Sequence, residues 1–319
     1  MAHDLTLRDS VDVARTSHIR YAFYGLQLAG LSGAFLLLLT ASIWRKATRR
    51  HASWYNFMIC WIISCSSYIF LIGLPLGKEP NQTLCVVQAA LIYAVPPLTS
   101  GATIALVIHV YMTLRSLLVD IPHRQLWTAA LVIGPYIPAW ILFLVFLNKG
   151  LSDPSLVRRM DDGTYCSMSM NTQVPARASS AVVSTIMILC LGVEAIIFRN
   201  LRRVWAIFKQ DSDERASVSM VVRVLAFTSI GMLSIILSMI FMILPDSTNE
   251  IFNIVIAIVP VSSILIFGTQ KDILAAWTST CRRERENHHH EQHHVEMWET
   301  FTPTGSSNLN TRSIHPPGD

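Results

Sequence analysis

Residues 21–43 read Tyr-Ala-Phe-Tyr-Gly-Leu-Gln-Leu-Ala-Gly-Leu-Ser-Gly-Ala-Phe-Leu-Leu-Leu-Leu-Thr-Ala-Ser-Ile, without one formal charge. A helix that crosses a hydrocarbon core needs about 20 apolar residues, and this stretch meets that length by itself. Six more follow it: Trp54 to Leu76, Leu84 to Leu114, Leu126 to Leu147, Ala178 to Phe198, Val224 to Pro245 and Ile251 to Gln270. Glu194 is the one formally charged side chain in all seven. A helix on the surface of a water-soluble protein keeps a charged face toward solvent; these are apolar all round.

The whole chain agrees with its parts. Of 319 residues, 52% are hydrophobic and 14% charged, and the mean hydropathy is +0.43, the composition of a polytopic membrane protein. The expected fold is all-α: a seven-helix transmembrane bundle over residues 21–270, preceded by an extracellular N-terminus, 1–20. Residues 271–281 are expected to form a short amphipathic helix on the membrane surface, and 282–319 a disordered cytoplasmic tail. Residues 1–20 carry Arg8, Arg15 and Arg20 against Asp4, Asp9 and Asp12 and hold no apolar run, so the first span is expected to direct its own insertion.

Orientation follows from the basic residues. With the N-terminus outside, the inner loops hold Arg45, Lys46, Arg49, Arg50, Arg115, Arg124, Arg199, Arg202, Arg203, Lys209, Arg215 and Arg223, whereas the outer loops hold Lys78, Lys149, Arg158, Arg159 and Arg177. The positive-inside bias therefore predicts an outside N-terminus and a cytoplasmic C-terminus. Trp44, Trp54, Trp127, Trp205 and Trp277 fall at the inner boundary, where indole rings favour the headgroup level.

On that topology only Cys85 and Cys166, of six cysteines, face the oxidising side. A bridge between them would draw the longest outer loop over the mouth of the bundle, with a stabilisation of roughly 4 kcal/mol in the chain-entropy account. Asn81-Gln82-Thr83 is a glycosylation sequon on the same face, which makes Asn81 a candidate acceptor.

Inside the spans, Pro96 and Pro97 remove two helical donors from the third helix and predict a bend with carbonyls left free; Pro135, Pro138 and Pro260 repeat the device. Gln88, Tyr93, Pro96 and Trp140 are the candidate contacts for an outer ligand. Most other intramembrane polar residues, Ser64, Ser66, Ser67, Tyr68, Asn253, Ser262 and Ser263, read as helix-to-helix glue. Glu194 requires a partner for its charge, which Arg199, Arg202 or, at the foot of the sixth span, Arg223 could supply. After the seventh span, Ile273, Leu274, Trp277 and Cys281 share one helical face, and Cys281 beside Arg282 and Arg283 is a candidate for palmitoylation. The tail carries His288, His289, His290, His293 and His294 and reads as a solvated low-complexity tract rather than a metal site.

The outer N-terminus, the seven helices, a cysteine opening the third helix matched by one in the second outer loop, and the terminal amphipathic helix together resemble a G-protein-coupled receptor. Trp54-Tyr55-Asn56-Phe57 with Trp61 and Tyr68, Cys85 with Gln88-Ala89 and Tyr93, and Phe267-Gly268-Thr269-Gln270-Lys271-Asp272 with Trp277 resemble uncharacterised seven-helix receptors of basidiomycete fungi. The likeness runs from about Trp44 to Trp277. It implies a plasma-membrane receptor that passes the binding of an extracellular ligand to the α subunit of a heterotrimeric G protein. Its inner coupling face would hold His109, Tyr111, Arg115, Arg202, Arg203, Lys209 and Arg223.

Departures from the rhodopsin-like pattern are specific. His109-Val110-Tyr111 stands where that family has Asp-Arg-Tyr, Val259-Pro260-Val261-Ser262-Ser263 replaces Asn-Pro-x-x-Tyr, and the sixth span lacks Cys-Trp-x-Pro. Rhodopsin-type switch residues therefore do not transfer. The alternative reading is a seven-helix transporter or channel for a small uncharged solute, although internal repeats and midplane ionisable residues, common in transporters, are missing from the sequence. A retinal protein would need a lysine within the seventh span, where Lys271 comes only at the end. No catalytic constellation, cofactor motif, intramembrane metal cluster or nucleic-acid motif is visible, so neither an enzyme nor a nucleic-acid partner is expected.

Overall fold

With no proline or glycine before Gly25, nothing in the first residues stops a helix. In the computed structural model, helix α1 accordingly starts at Ala2 and runs to Ile43, so residues 1–20 are largely a helical extension of the first span rather than a separate terminal segment. The structure describes residues 2–44, 50–75, 78–116, 124–160, 162–168, 174–208, 222–233, 236, 249–270, 273–275 and 277–278. Lys209, Cys281 and the tail 282–319 lie outside them.

The chain is mostly helical. After α1 come α2 (Ala52–Tyr68), α3 (Gln82–Ser116), α4 (Arg124–Ile133) and α5 (Tyr136–Ser152). Next is a short hairpin of β1 (Val157–Arg159) and β2 (Cys166–Met168), then α6 (Val174–Phe208), α7 (Val222–Leu233) and α8 (Asn249–Gly268). Four of the described helical segments are long and apolar enough to cross a membrane: Ser17–Ile43, Gln82–Arg115, Gln125–Ser152 and Val174–Asn200. Phe35, Leu36, Ile141, Leu144 and Ile188 are each more than half exposed on these helices. Such outward apolar faces belong to a membrane-embedded protein.

Two expected spans depart from their sequence limits. The second ends at Tyr68, and the apolar residues after it fold as turns with Ile72 N–H donating to Ile69 O (2.9 Å) and Leu74 N–H to Leu71 O (3.1 Å). Gly73, at φ +86°, makes that turn possible, and Leu71 is buried there in a cluster with Cys85, Val86 and Phe146. The fourth is broken at Gly134-Pro135 into α4 and α5. Asn56 donates to Val132 O (3.2 Å) beside that break, and Tyr136 Oη donates to Asn56 Oδ1 (2.8 Å). A side chain of the neighbouring helix thus reaches a backbone carbonyl beside the break.

Helix α3 is central, packed against α2, α5, α6 and β2, while α1 packs on α2 and α8. The α1 contacts are close because glycine permits them: a Cβ on Gly30 would meet Cys65 Sγ and Pro260 Cβ at 3.0 Å, and one on Gly33 would meet Ile264 Cγ2 at 2.8 Å. Trp54 is fully buried, with the Arg50 guanidinium 5.5 Å over its ring. It is therefore a core residue and not part of a lipid-facing belt; Trp127, half exposed, fits the belt. The contact pattern divides the chain after Ile273. The described residues of the expected amphipathic helix are helical, with Thr278 Oγ1 donating back to Leu274 O (3.0 Å).

Candidate functional site

One end of the helical bundle, the one expected to face outward, is built around the loop between α5 and α6. Cys85 and Cys166 are disulfide-bonded across 81 residues, with Cα atoms 5.3 Å apart. The bond holds β2 along α3, and β1 pairs with it antiparallel in the register Val157 with Met168 and Arg159 with Cys166. The sequence reading foresaw a loop here and no strands. Three-residue strands carry too little alternation to register as a pattern, and this pair is held by the disulfide and by Gly163, at φ +71°, in the turn between them.

The loop does not lie over the bundle; it enters it. Thr164 and Cys166 are fully buried, and Asp162, Tyr165 and Met168 nearly so. Tyr165 sits among Phe23 of α1 and Tyr68 of α2, its ring edge-on to Tyr68 at 5.6 Å. Its hydroxyl donates to Asn253 Oδ1 of α8 (2.8 Å), and Asn253 Nδ2 donates to Asp162 Oδ2 (2.5 Å). Asp162 Oδ1 accepts from Thr164 N–H (3.0 Å) and Thr164 Oγ1 (2.7 Å), while Tyr24 Oη donates to Thr164 O (2.5 Å). Burial, with Tyr68 and Asp162 adding to it, pushes the Tyr165 phenol well above its ordinary pKa.

Gln88, expected to meet a ligand, is completely buried and spans the same loop: its Nε2 donates to Ser67 O (3.0 Å) and its Oε1 accepts from Cys166 N–H (3.1 Å). Tyr93 shares a hydrogen bond with Ser167 (2.9 Å). Pro97 lacks the N–H that would have bonded Tyr93 O, and Ser179 Oγ of α6 donates to that carbonyl instead (2.8 Å). Pro96 stands within the continuous α3 one turn further on. The structure thus gathers Gln88 and Tyr93 around the loop. Trp140 does not join them: it is 57% exposed, edge-on to Phe143. Asp162, Thr164, Tyr165, Asn253 and Tyr24 were not singled out as site residues, although Asp162 lies only four residues before Cys166 and a disulfide partner's neighbours are drawn in with it.

Asn81, exposed, accepts from Thr83 N–H on its Oδ1 (2.9 Å) and so caps the start of α3. Just inside the mouth, Arg20 of α1 donates to Leu74 O (2.6 Å). Arg159 of β1 donates to the same carbonyl (3.0 Å), to Pro75 O (2.8 Å), to Lys78 O (3.2 Å) and twice to Gly163 O.

At the other end of α3, His109 is buried with its ring centroid 4.0 Å from that of His51, Tyr111 packs at the edge of the main core, and Arg115 is exposed. Arg202 and Arg203 belong to α6. Arg223 donates to Ile266 O, to Thr269 Oγ1 (2.8 Å) and to Thr269 O (3.0 Å). A guanidinium on the last carbonyls of α8 satisfies both their lone pairs and the negative end of the helix dipole. It does not pair with Glu194, whose contact across the interface is the Thr228 hydroxyl of α7. Among the described residues no three His, Cys, Asp or Glu side chains converge as a metal site.

Compared with known proteins, the chain matches no family model and no curated protein.

Proposed function

We propose that this protein is a seven-helix G-protein-coupled receptor of the plasma membrane, N-terminus outside, passing a signal from its outer mouth to a cytoplasmic Gα subunit. The observation that supports this most directly is the buried outer loop. One disulfide-tethered segment hydrogen-bonds to Tyr24 of α1, to Gln88 and Tyr93 of α3 and to Asn253 of α8, and through Gln88 it is linked to α2. A ligand that shifts this segment changes contacts on four helices together, which is the differential interaction a population shift requires. A transporter would instead need an open route through the same mouth, which the loop fills in this conformation.

On this reading α7 and α8 are the sixth and seventh spans, and Arg223 joins them at the cytoplasmic end, where His109, Tyr111, Arg115, Arg202, Arg203 and Lys209 would meet Gα. Breaking its bonds to Ile266 and Thr269 frees the foot of α7 to move. The experiment is expression in a fungal host with a Gα-linked reporter, screened against classes of extracellular ligand. A ligand-dependent response that disappears in Asn253→Ala while the protein still reaches the surface supports the proposal. Uptake of labelled solute with no guanine-nucleotide response would replace it with the carrier reading.

A further inference from the structure

Arg20 and Arg159 come from α1 and β1, more than a hundred residues apart in sequence, yet both donate to the carbonyl oxygen of Leu74. Two guanidinium cations are thereby held against one neutral acceptor. Arg159 spends its bonds on the backbone carbonyls of Leu74, Pro75, Lys78 and Gly163, which satisfy its hydrogens, and its charge is offset only at a distance, by Asp162 and Glu79. Carboxylates are near without closing the pair. Both oxygens of Asp162 are occupied by Thr164 and Asn253, and Glu79 is exposed. Among the described residues neither arginine makes an ion pair. The strain shows in Arg159, whose pKa is lowered by its burial and by the charge of Arg20.

The two arginines differ in what they have left to offer. A guanidinium carries five N–H donors; the described contacts of Arg20 are one bond to Leu74 O and the Tyr24 side chain, which it hydrogen-bonds and whose ring centroid lies 5.6 Å from the guanidinium carbon. Part of its fork is open, on an aromatic platform that orients it, with a second positive charge behind. This arrangement matches a planar or tetrahedral oxyanion, which an arginine fork grips through two parallel bonds.

We propose that Arg20, backed by Arg159, is the receiving site for an anionic group, a carboxylate, phosphate or sulfate, at the outer mouth. The proposal rests on the outward orientation argued above and gives that mouth a ligand class. The anion neutralises a like-charge pair that has no ion-pair partner among the described residues. It also touches the loop system directly, because Arg159 holds Gly163 and Tyr24 holds Thr164.

The test uses the full chain in nanodiscs, with binding read as a shift in the unfolding midpoint reported by a thiol-reactive dye on the buried Cys60, Cys65 and Cys190. The probes are succinate, inorganic phosphate and sulfate, with diethyl succinate as the uncharged analogue, all at constant ionic strength. Discs of phosphatidylcholine alone are compared with discs containing phosphatidylserine. The anions should raise the midpoint where the ester does not, with an apparent affinity at least tenfold weaker in Arg20→Gln and partly restored in Arg20→Lys. Arg20→Gln should still fold, since Arg159 keeps Leu74 O bonded. Stabilisation by phosphatidylserine alone, lost in Arg20→Gln, would name a lipid headgroup as the source. Equal shifts in the parent and Arg20→Gln, or no anion effect in either disc, would overturn the proposal. No G protein enters the measurement, so failure here leaves the receptor proposal standing, and a missing Gα response leaves this one standing.

Discussion

Asn253→Ala isolates the joint between the disulfide-bonded loop and α8. Asn253 is almost fully buried and uses both ends of its amide, accepting from Tyr165 Oη and donating to Asp162 Oδ2. Removing it leaves the Tyr165 hydroxyl without an acceptor and one oxygen of Asp162 without its donor. A buried neutral group left unsatisfied costs about 1–3 kcal/mol and a charged one more, so the combined loss is expected near ~4 kcal/mol. Tyr165→Phe strands only Asn253 Oδ1 and should cost about 1–2 kcal/mol. Because the two share a bond, the double variant should be less destabilised than the sum, with a coupling of about 1 kcal/mol or more. Equilibrium unfolding of the purified protein in bicelles, followed by labelling of the buried thiols, provides the measurement. A loss below about 1 kcal/mol for Asn253→Ala, or strict additivity in the cycle, would refute the claim that the loop is latched to α8 through this side chain.

Other outcomes follow from the same contacts. Cys85→Ser and Cys166→Ser should destabilise equally, by about 4 kcal/mol on the chain-entropy account, with no further loss in the double variant by surface staining and unfolding. Gly33→Ala should cost about 1–3 kcal/mol by overpacking, because its Cβ would sit 2.8 Å from Ile264 Cγ2; Ile264→Ala should recover part of that loss in the same assay. The raised pKa of Tyr165 gives a pH signature: its folded value lies above the unfolded one, so its stabilisation is complete below pH ~10 and falls as pH rises further, by about 1.4 kcal/mol per unit. Stability measured from pH 9 upward should fall less steeply in Tyr165→Phe than in the parent, the difference approaching about 1.4 kcal/mol per unit.

What could be read along the chain was whatever is local to it. Long uncharged runs mark helices that meet lipid, because hydropathy adds up residue by residue. Even so, tertiary contacts moved two boundaries: Asn56 and Tyr136 accommodate the break at Pro135, and the apolar tail of the second span turns back as soon as Ser67 donates to Ser64 O (2.7 Å). Of the residues expected to meet a ligand, Gln88 and Tyr93 are hydrogen-bonded to the protein's own loop. The fate of Glu194 and Arg223 was likewise not legible, since an arginine is satisfied by helix-end carbonyls as well as by a carboxylate, and only packing decides which is within reach.

Composition and spacing thus determined that this chain is helical and membrane-embedded, and compartment logic alone singled out Cys85 and Cys166 as partners. The tertiary structure decided that the bridged loop goes inward, that Asn253 receives it, and that Arg20 and Arg159 converge on one carbonyl. The physical reason is range: burial preference is a property of each segment, whereas a hydrogen bond such as Tyr24 to Thr164, 140 residues apart, exists only once the helices between them have packed.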